Sequence, residues 1–220
     1  MKKLACCVGP MLALMMLNAI NPHTVATAAT IVDDFESYAS EAAFDSAWAP
    51  IQPTQQATVP LTLSTTVAHT GSQSMYIDYN MGASPYFGQP AHFFPTQNWA
   101  AGTAVSFWYL GQTTNSGEHF DFRFYNSFGS EIGRKSFPAA TGQTKVGTWT
   151  EGILDLSSYT PGPAAGQQND VAQIRFNINA SSYGRGAMWI DDISVVPEPT
   201  SFGLFGVGIA TCLVGRRRHR

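Results

Sequence analysis

The chain has 220 residues, a formal net charge of −3 and only 12 % charged residues. Between positions 29 and 197 it holds six lysines and arginines against fourteen aspartates and glutamates, a balance of −8 that argues against nucleic acid and anionic membrane surfaces, since both require a basic footprint. All three cysteines, Cys6, Cys7 and Cys212, lie in the terminal apolar stretches, so no disulfide staples the part between them.

Lys2 and Lys3 open the chain as a basic n-region. An apolar run over 4–20 follows, and Ala26-Thr27-Ala28 has the small-x-small form of a signal peptidase site. Residues 1–28 are therefore expected to be a signal peptide cut after Ala28. A permanent anchor fits less well, because the small-residue site follows the apolar run at the distance cleavage needs. Cys6 and Cys7 sit too near Met1 for a lipoprotein signal.

From residue 30 to 196 the pattern is alternation, the period of a strand with one buried face. Strands are expected at 31–35 and 61–66, then at Met75-Tyr76-Ile77-Asp78-Tyr79 and Val105-Ser106-Phe107-Trp108-Tyr109. Further strands are expected at Phe120-Asp121-Phe122-Arg123-Phe124-Tyr125, at 148–155, at Ile174-Arg175-Phe176-Asn177-Ile178-Asn179 and at 187–195. Only 41–48 carries a helical pattern. Turn formers punctuate the strands: His69-Thr70-Gly71-Ser72, Ser127-Phe128-Gly129 and Pro161-Gly162-Pro163. Many short strands with such punctuation predict an all-β fold, a single antiparallel β-sandwich over 30–196. The segment 157–170 reads as a long loop.

The last stretch has three parts in fixed order. Pro197-Glu198-Pro199 blocks regular structure, an apolar segment covers 201–215, and Arg216, Arg217 and Arg218 lead a basic tail that runs to residue 220. The apolar segment is shorter than the roughly 20 residues that usually span a bilayer. These residues resemble the PEP-CTERM sorting signal of Gram-negative bacteria. The resemblance implies a transmembrane helix at 201–215, processing by an exosortase-type protease near Pro-Glu-Pro, and delivery to the cell envelope, the cell surface or the medium. Membrane contact is then expected only through the C-terminal segment.

Ordered landmarks inside the body carry a second resemblance: Asp34-Phe35-Glu36, then His69-Thr70-Gly71-Ser72-Gln73-Ser74-Met75, Val105-Ser106-Phe107-Trp108-Tyr109, Trp149, Leu154-Asp155-Leu156 and Trp189-Ile190-Asp191-Asp192-Ile193. Their order is similar to that of the galactose-binding-like jelly rolls used as carbohydrate-binding modules. That resemblance implies a jelly roll and one structural Ca²⁺, with Glu36, a group near Ser72, and Asp191 as ligands and Asp34 or Asp192 as options. Ca²⁺ takes six to eight oxygens, and adjacent first and last strands would bring these carboxylates together. The plainer reading makes them solvated strand-start residues and turn acceptors.

Sugars present hydroxyls and apolar C–H faces, so a site for them combines rings with Asn, Asp and Arg. The outward positions supply these as Tyr76 and Asp78, as Asp121, Arg123 and Tyr125, and as Arg175, Asn177 and Asn179. Tyr86, Phe87, Trp99 and Tyr183 are candidates for an edge. The competing account makes them cross-strand pairs of a solvated sheet. Catalysis finds no support: Glu118, Glu131 and Glu151 have no paired partner, there is no G-x-S-x-G, and His69, His92 and His119 lack zinc-site spacing. The sequence thus points to an exported, non-catalytic protein that binds extracellular polysaccharide. The alternative is a structural surface protein that assembles with protein partners.

Overall fold

In the computed structural model, residues 29–51, 59–80, 87–116, 118–137, 145–179 and 184–197 are described. The expected signal peptide, the apolar segment 201–215, the basic tail, Glu198 and Pro199 lie outside them, as do the edge aromatics Tyr86 and Tyr183. Among the described residues no helix is long and apolar enough to cross a membrane.

Thirteen strands and one short helix follow in chain order among those residues. The chain opens with β1 (Thr30–Asp33), α1 (Glu41–Ala47), β2 (Trp48–Pro50), β3 (Leu61–Ser64) and β4 (Ser74–Asn80). The middle holds β5 (Phe87–Gly88), β6 (Pro90–Gln97), β7 (Gly102–Gly111), β8 (His119–Asn126) and β9 (Glu131–Phe137). The last part holds β10 (Thr150–Asp155), β11 (Thr160–Pro161), β12 (Val171–Asn179) and β13 (Arg185–Pro197). They form two antiparallel sheets. A six-stranded sheet has the order β10-β7-β13-β4-β3, with β1 added beside β13. A seven-stranded sheet has the order β11-β9-β8-β12-β6-β2, with β5 added beside β12. Residues Ala28–Glu198 form one compact unit.

The core lies between the sheets and is mostly aromatic. Phe107 of β7 stacks on Phe122 of β8 at 5.3 Å and meets Phe176 of β12 edge-on at 5.1 Å. Tyr109 meets Phe120 at 5.3 Å, and Trp99 lies 5.8 Å from Phe124. Each of these rings is essentially inaccessible. Gly152 is small because Phe107 occupies the space above it: a Cβ there would meet the ring Cζ at 2.4 Å.

A buried carboxylate organises the start of the chain. Asp33 accepts from Phe35 N at 2.8 Å, from the Tyr38 hydroxyl at 2.6 Å and from the Trp48 indole N–H at 2.7 Å. This ties β1 to the segment before β2. The helix α1 begins as expected. Ser40 caps it by accepting from Ala43 N, and Phe44 is its one buried residue.

The alternating runs all became strands. Those lacking clean alternation did not announce themselves: β2, β5, β6, β9 and β11 were not expected. Pro90 and Pro95 mask β6, and the segment 157–170 contains β11 and a series of hydrogen-bonded turns rather than one open loop.

Removing the ring of Phe107 leaves a cavity between the two sheets. Phe107→Ala is expected to lower unfolding free energy by about 3–5 kcal/mol, read from urea denaturation midpoints with the slope unchanged.

Candidate functional site

The outer face of the seven-stranded sheet carries a polar grid. Along β8 the inward residues Phe120, Phe122 and Phe124 alternate with Asp121, Arg123 and Tyr125. Along β12 the inward Ile174, Phe176 and Ile178 alternate with Gln173, Arg175 and Asn177. Antiparallel register sets these opposite one another as Tyr125↔Gln173, Arg123↔Arg175 and Asp121↔Asn177. On the other side of β8 the pairs are Tyr125↔Glu131, Arg123↔Arg134 and Asp121↔Ser136. Nine side chains thus stand in three rows across β9, β8 and β12, over about 10 Å by about 13 Å.

Two bulges hold the grid in phase. One between Phe124 and Tyr125 in the β8–β9 register lets Glu131 face outward while Ile132 enters the core. The other, at Ala172, lets Val171 enter the core while Gln173 faces outward. Such bulges re-aim side chains at the cost of local pairing.

Within the grid, Arg123 reaches Asp121 at 2.5 Å and Glu131 at 3.3 Å, and Arg134 reaches Glu131 at 2.9 Å. Asn177 donates to Asp121 at 3.4 Å, and the Tyr125 hydroxyl donates to Glu131 at 3.3 Å. The Arg175 guanidinium lies 3.8 Å from the centre of the Tyr125 ring and donates to the Gln173 side-chain oxygen at 2.9 Å. Burial pulls the Arg175 guanidinium below its ordinary value. For Asp121 burial acts upward, yet hydrogen bonds from Arg123, Ser136 and Asn177 outweigh it and hold the carboxyl below the usual range.

The grid is not saturated. Among the described residues, the buried side-chain polar atoms without a partner are Asp121 Oδ1, Arg123 Nε, Gln173 Nε2, Arg175 Nε and Asn177 Oδ1. All five belong to this face. Buried polar groups normally find partners, and leaving one unmet costs about 1–3 kcal/mol. Two acceptors and three donors concentrated on one patch are what a polyhydroxylated ligand can satisfy.

The expected ligand residues divide. Asp121, Arg123, Tyr125, Arg175 and Asn177 come together, and Asn179 continues the same strand opposite His119, its side chain outside the described set. Tyr76 and Asp78 do not join them. They lie on β4 in the other sheet, where Tyr76 packs against Trp189 at 5.0 Å. Trp99 is no edge residue: it is buried in the core, its indole N–H donating to Gln97 at 2.9 Å. Gln173, Glu131, Arg134 and Ser136 were missed, because a bulge interrupts the period before Gln173 and the β9 stretch shows no alternation. The outer face of the six-stranded sheet holds another aromatic group that was not anticipated, with His69 stacked on Trp108 at 3.9 Å and Trp149 at 5.5 Å from the same ring.

The expected calcium residues converge on the turn before β4. Glu36 accepts from Ser72 N at 2.8 Å, Gln73 N at 2.7 Å and the Ser72 hydroxyl at 2.9 Å. Asp191 accepts from His69 N at 2.7 Å and from Asp192 N at 2.8 Å. Asp192 accepts from the Thr70 hydroxyl at 2.7 Å and faces the His69 ring at 2.6 Å, while Asp34 accepts from Glu36 N at 3.2 Å. Phe35 and Asp192 have φ of 62° and 51°, left-handed values these bonds help to hold. Gly71, at φ 63°, is required by the same clamp, since a Cβ there would meet Glu36 Oε1 at 2.4 Å. All four carboxylates are directed at N–H and O–H donors, and among the described residues no three His, Cys, Asp or Glu groups gather as a metal ion needs. As arranged, they clamp the turn before β4 through hydrogen bonds.

Comparison with known proteins bears on both halves of the chain. Residues 195–218 match the PEP-CTERM protein-sorting motif. No curated protein matches the chain. Among solved structures it is similar to the family 11 carbohydrate-binding module of a cellulosomal cellulase from Clostridium thermocellum. The two share 14 % identity at a TM-score of 0.53, covering 78 % of this chain and 95 % of the module. A structure of the family 11 module in complex with a β-1,3-1,4-mixed-linked tetrasaccharide aligns over 77 % of this chain and 95 % of the module, at 14 % identity and a TM-score of 0.53. A family 30 carbohydrate-binding module aligns at 16 % identity and a TM-score of 0.50, over 64 % of this chain and 75 % of that one. At such identities the likeness establishes the fold: a carbohydrate-binding-module-like β-sandwich carrying a C-terminal sorting motif.

Two outcomes follow. An acid whose folded-state pKa is depressed contributes stability above its unfolded value, about 3.9 for Asp, and that contribution is lost as pH falls through the folded value. Asp121→Asn is therefore expected to flatten the acid limb of a urea-midpoint profile below about pH 4. Chelation separates the hydrogen-bonded clamp from the calcium expectation: held by its hydrogen bonds alone, the protein keeps its thermal midpoint in EDTA. A loss of several degrees that calcium restores would show instead that a metal replaces these hydrogen bonds.

Proposed function

We propose that this protein is an exported, non-catalytic polysaccharide-binding protein, and that the outer face of the seven-stranded sheet is its binding surface. The jelly-roll connectivity expected from the sequence belongs to this reading, as does sorting by an exosortase-type protease that leaves the sandwich in the cell envelope or outside the cell. One observation carries the proposal. The described buried side-chain polar atoms that lack partners all fall on this one grid, with the acceptors in the Asp121–Asn177 row and the donors in the two rows that hold the Tyr125–Arg175 stack.

The chemistry favours a glycan over a protein partner. The grid is polar in every row and, apart from the Tyr125 ring, lacks the apolar core that protein–protein interfaces bury. A sugar needs the reverse: convergent bidentate groups with one ring to lie against. The fold is shared with modules named for carbohydrate binding, one of them in complex with a β-1,3-1,4-mixed-linked tetrasaccharide. Catalysis has no constellation to support it on this face. Asp121 and Glu131 are both engaged by arginines, and the bonds to Asp121 hold its carboxyl below the usual range, the opposite of what a proton donor needs.

Protein–protein assembly is the rival reading. It draws on Phe128 at the β8–β9 turn, which is 87 % exposed, and on Phe93, Ile31 and Ile153 elsewhere on the surface.

Affinity electrophoresis of the full chain in detergent micelles, through gels containing a panel of polysaccharides, separates the two. Retardation by at least one polymer is expected. Asn177→Ala and Tyr125→Ala are each expected to weaken it by on the order of ten-fold, the effect of one or two lost charged or stacking contacts. Tyr76→Ala on the opposite sheet is expected to leave it unchanged. No retardation by any polymer, with oligomers that grow with protein concentration, would favour assembly.

A further inference from the structure

The middle row of the grid is made of three arginines. Arg134, Arg123 and Arg175 are direct cross-strand neighbours on β9, β8 and β12. They are half of the six cations in a body whose balance is −8. Like charges directly opposite one another destabilise a sheet, so such a row requires anions to hold it.

Two of the three have them. Arg123 is paired with Asp121 and Glu131, and Arg134 with Glu131. Arg175 is different. Among the described residues no carboxylate forms an ion pair with it, and Glu131 acts on it only through space. It donates to the neutral oxygen of Gln173, lies over Tyr125, and keeps its buried Nε without an acceptor. The row therefore holds three positive charges against two negative ones, and the excess sits on Arg175.

We infer that the polysaccharide of the proposed function, on whose reading this rests, is an acidic one built from uronate sugars, and that Arg175 receives the uronate carboxylate. A guanidinium offers parallel N–H groups that match a carboxylate in two hydrogen bonds. The Tyr125 ring fixes the plane of the Arg175 group, so little rotamer freedom is lost when the anion arrives. Asn177 Oδ1 and Asp121 Oδ1 on one side and Gln173 Nε2 on the other remain for hydroxyls of the same chain. The carboxylates of Asp121 and Glu131 face a polyanion too, but each is neutralised at contact by an arginine. The acidic remainder of the body acts only at a distance, and salt screens it beyond about 8 Å at physiological ionic strength. Recognition is then a short-range event at Arg175 and not a matter of long-range attraction.

The test uses the full chain in detergent micelles, titrated calorimetrically with polygalacturonate and alginate and with the same two polymers after reduction of their carboxyl groups to alcohols. At least one polyuronate is expected to bind on the order of ten-fold or more tighter than its reduced form, the scale of one charge-assisted contact. Arg175→Gln is expected to bring the two affinities together, and Arg175→Lys, which keeps the charge but not the fork, to restore part of the gap. Tyr76→Ala, on the opposite sheet, is expected to keep it whole. Equal binding of the acidic and reduced polymers by the natural chain would overturn the inference while leaving sugar binding intact, as would a gap that survives Arg175→Gln in a variant with an unchanged near-ultraviolet spectrum. If no polymer of either kind binds, the glycan reading itself falls.

Discussion

The pairing of β8 with β12 is the constraint from which the rest follows. Three alternate apolar residues on each strand face one way, and their polar neighbours face the other. Because side chains in a strand repeat every two residues, a slip of one position would turn Phe122 and Phe176 into solvent and Arg123 and Arg175 into the core. The aromatic stack with Phe107 and the outward arginine row are two sides of one register. Packing supplies the energy that fixes it, and the grid inherits positions that its own electrostatics would not choose.

A second constraint acts at the ends of the body. Thr30 pairs with Val195 and Ile31 with Ser194, so the first residues after the expected signal peptide lie beside the residues that begin the sorting motif. Pro197 is itself the last residue of β13, and the Thr103 hydroxyl faces the carbonyls of Val196 and Pro197 at 3.2 and 3.3 Å. The sorting motif thus starts inside the folded sheet, not after a linker. The Glu36, Asp191 and Asp192 clamp holds the same region from the other side, binding the turn before β4 to the bulge in β13. Burial raises the Asp191 carboxyl to about 6, while the Glu36 and Asp192 bonds of the same clamp stay at the surface.

Legibility followed the chemistry of each segment. Strands with one apolar and one polar face were readable, and β4, β7, β8, β12 and β13 were found where alternation stood. β6 was hidden because proline interrupts its start and middle and two aromatics run together at Phe93 and Phe94. β9 was hidden because a bulge breaks the period between Glu131 and Arg134. The site divided along the same line. Asp121, Arg123, Tyr125, Arg175 and Asn177 were legible because they alternate with phenylalanine and isoleucine. Tyr76 and Asp78 alternate just as well, and nothing in a one-dimensional pattern states which sheet a strand will join.

The sequence by itself determined the C-terminal sorting motif, the all-β class, the inward and outward assignment of the long strands, and the absence of cysteines from the body. These depend on composition and local period, which are properties of neighbouring residues. Only the tertiary structure decided that β8, β9 and β12 lie side by side while β4 lies in the opposite layer, that two bulges bring Glu131 and Gln173 into the grid, and that four carboxylates turn toward amides at one turn. The physical reason is that strand partners are chosen by packing between residues far apart in the chain. Which charges end as neighbours, and which one is left without a counterion, is a consequence of that choice.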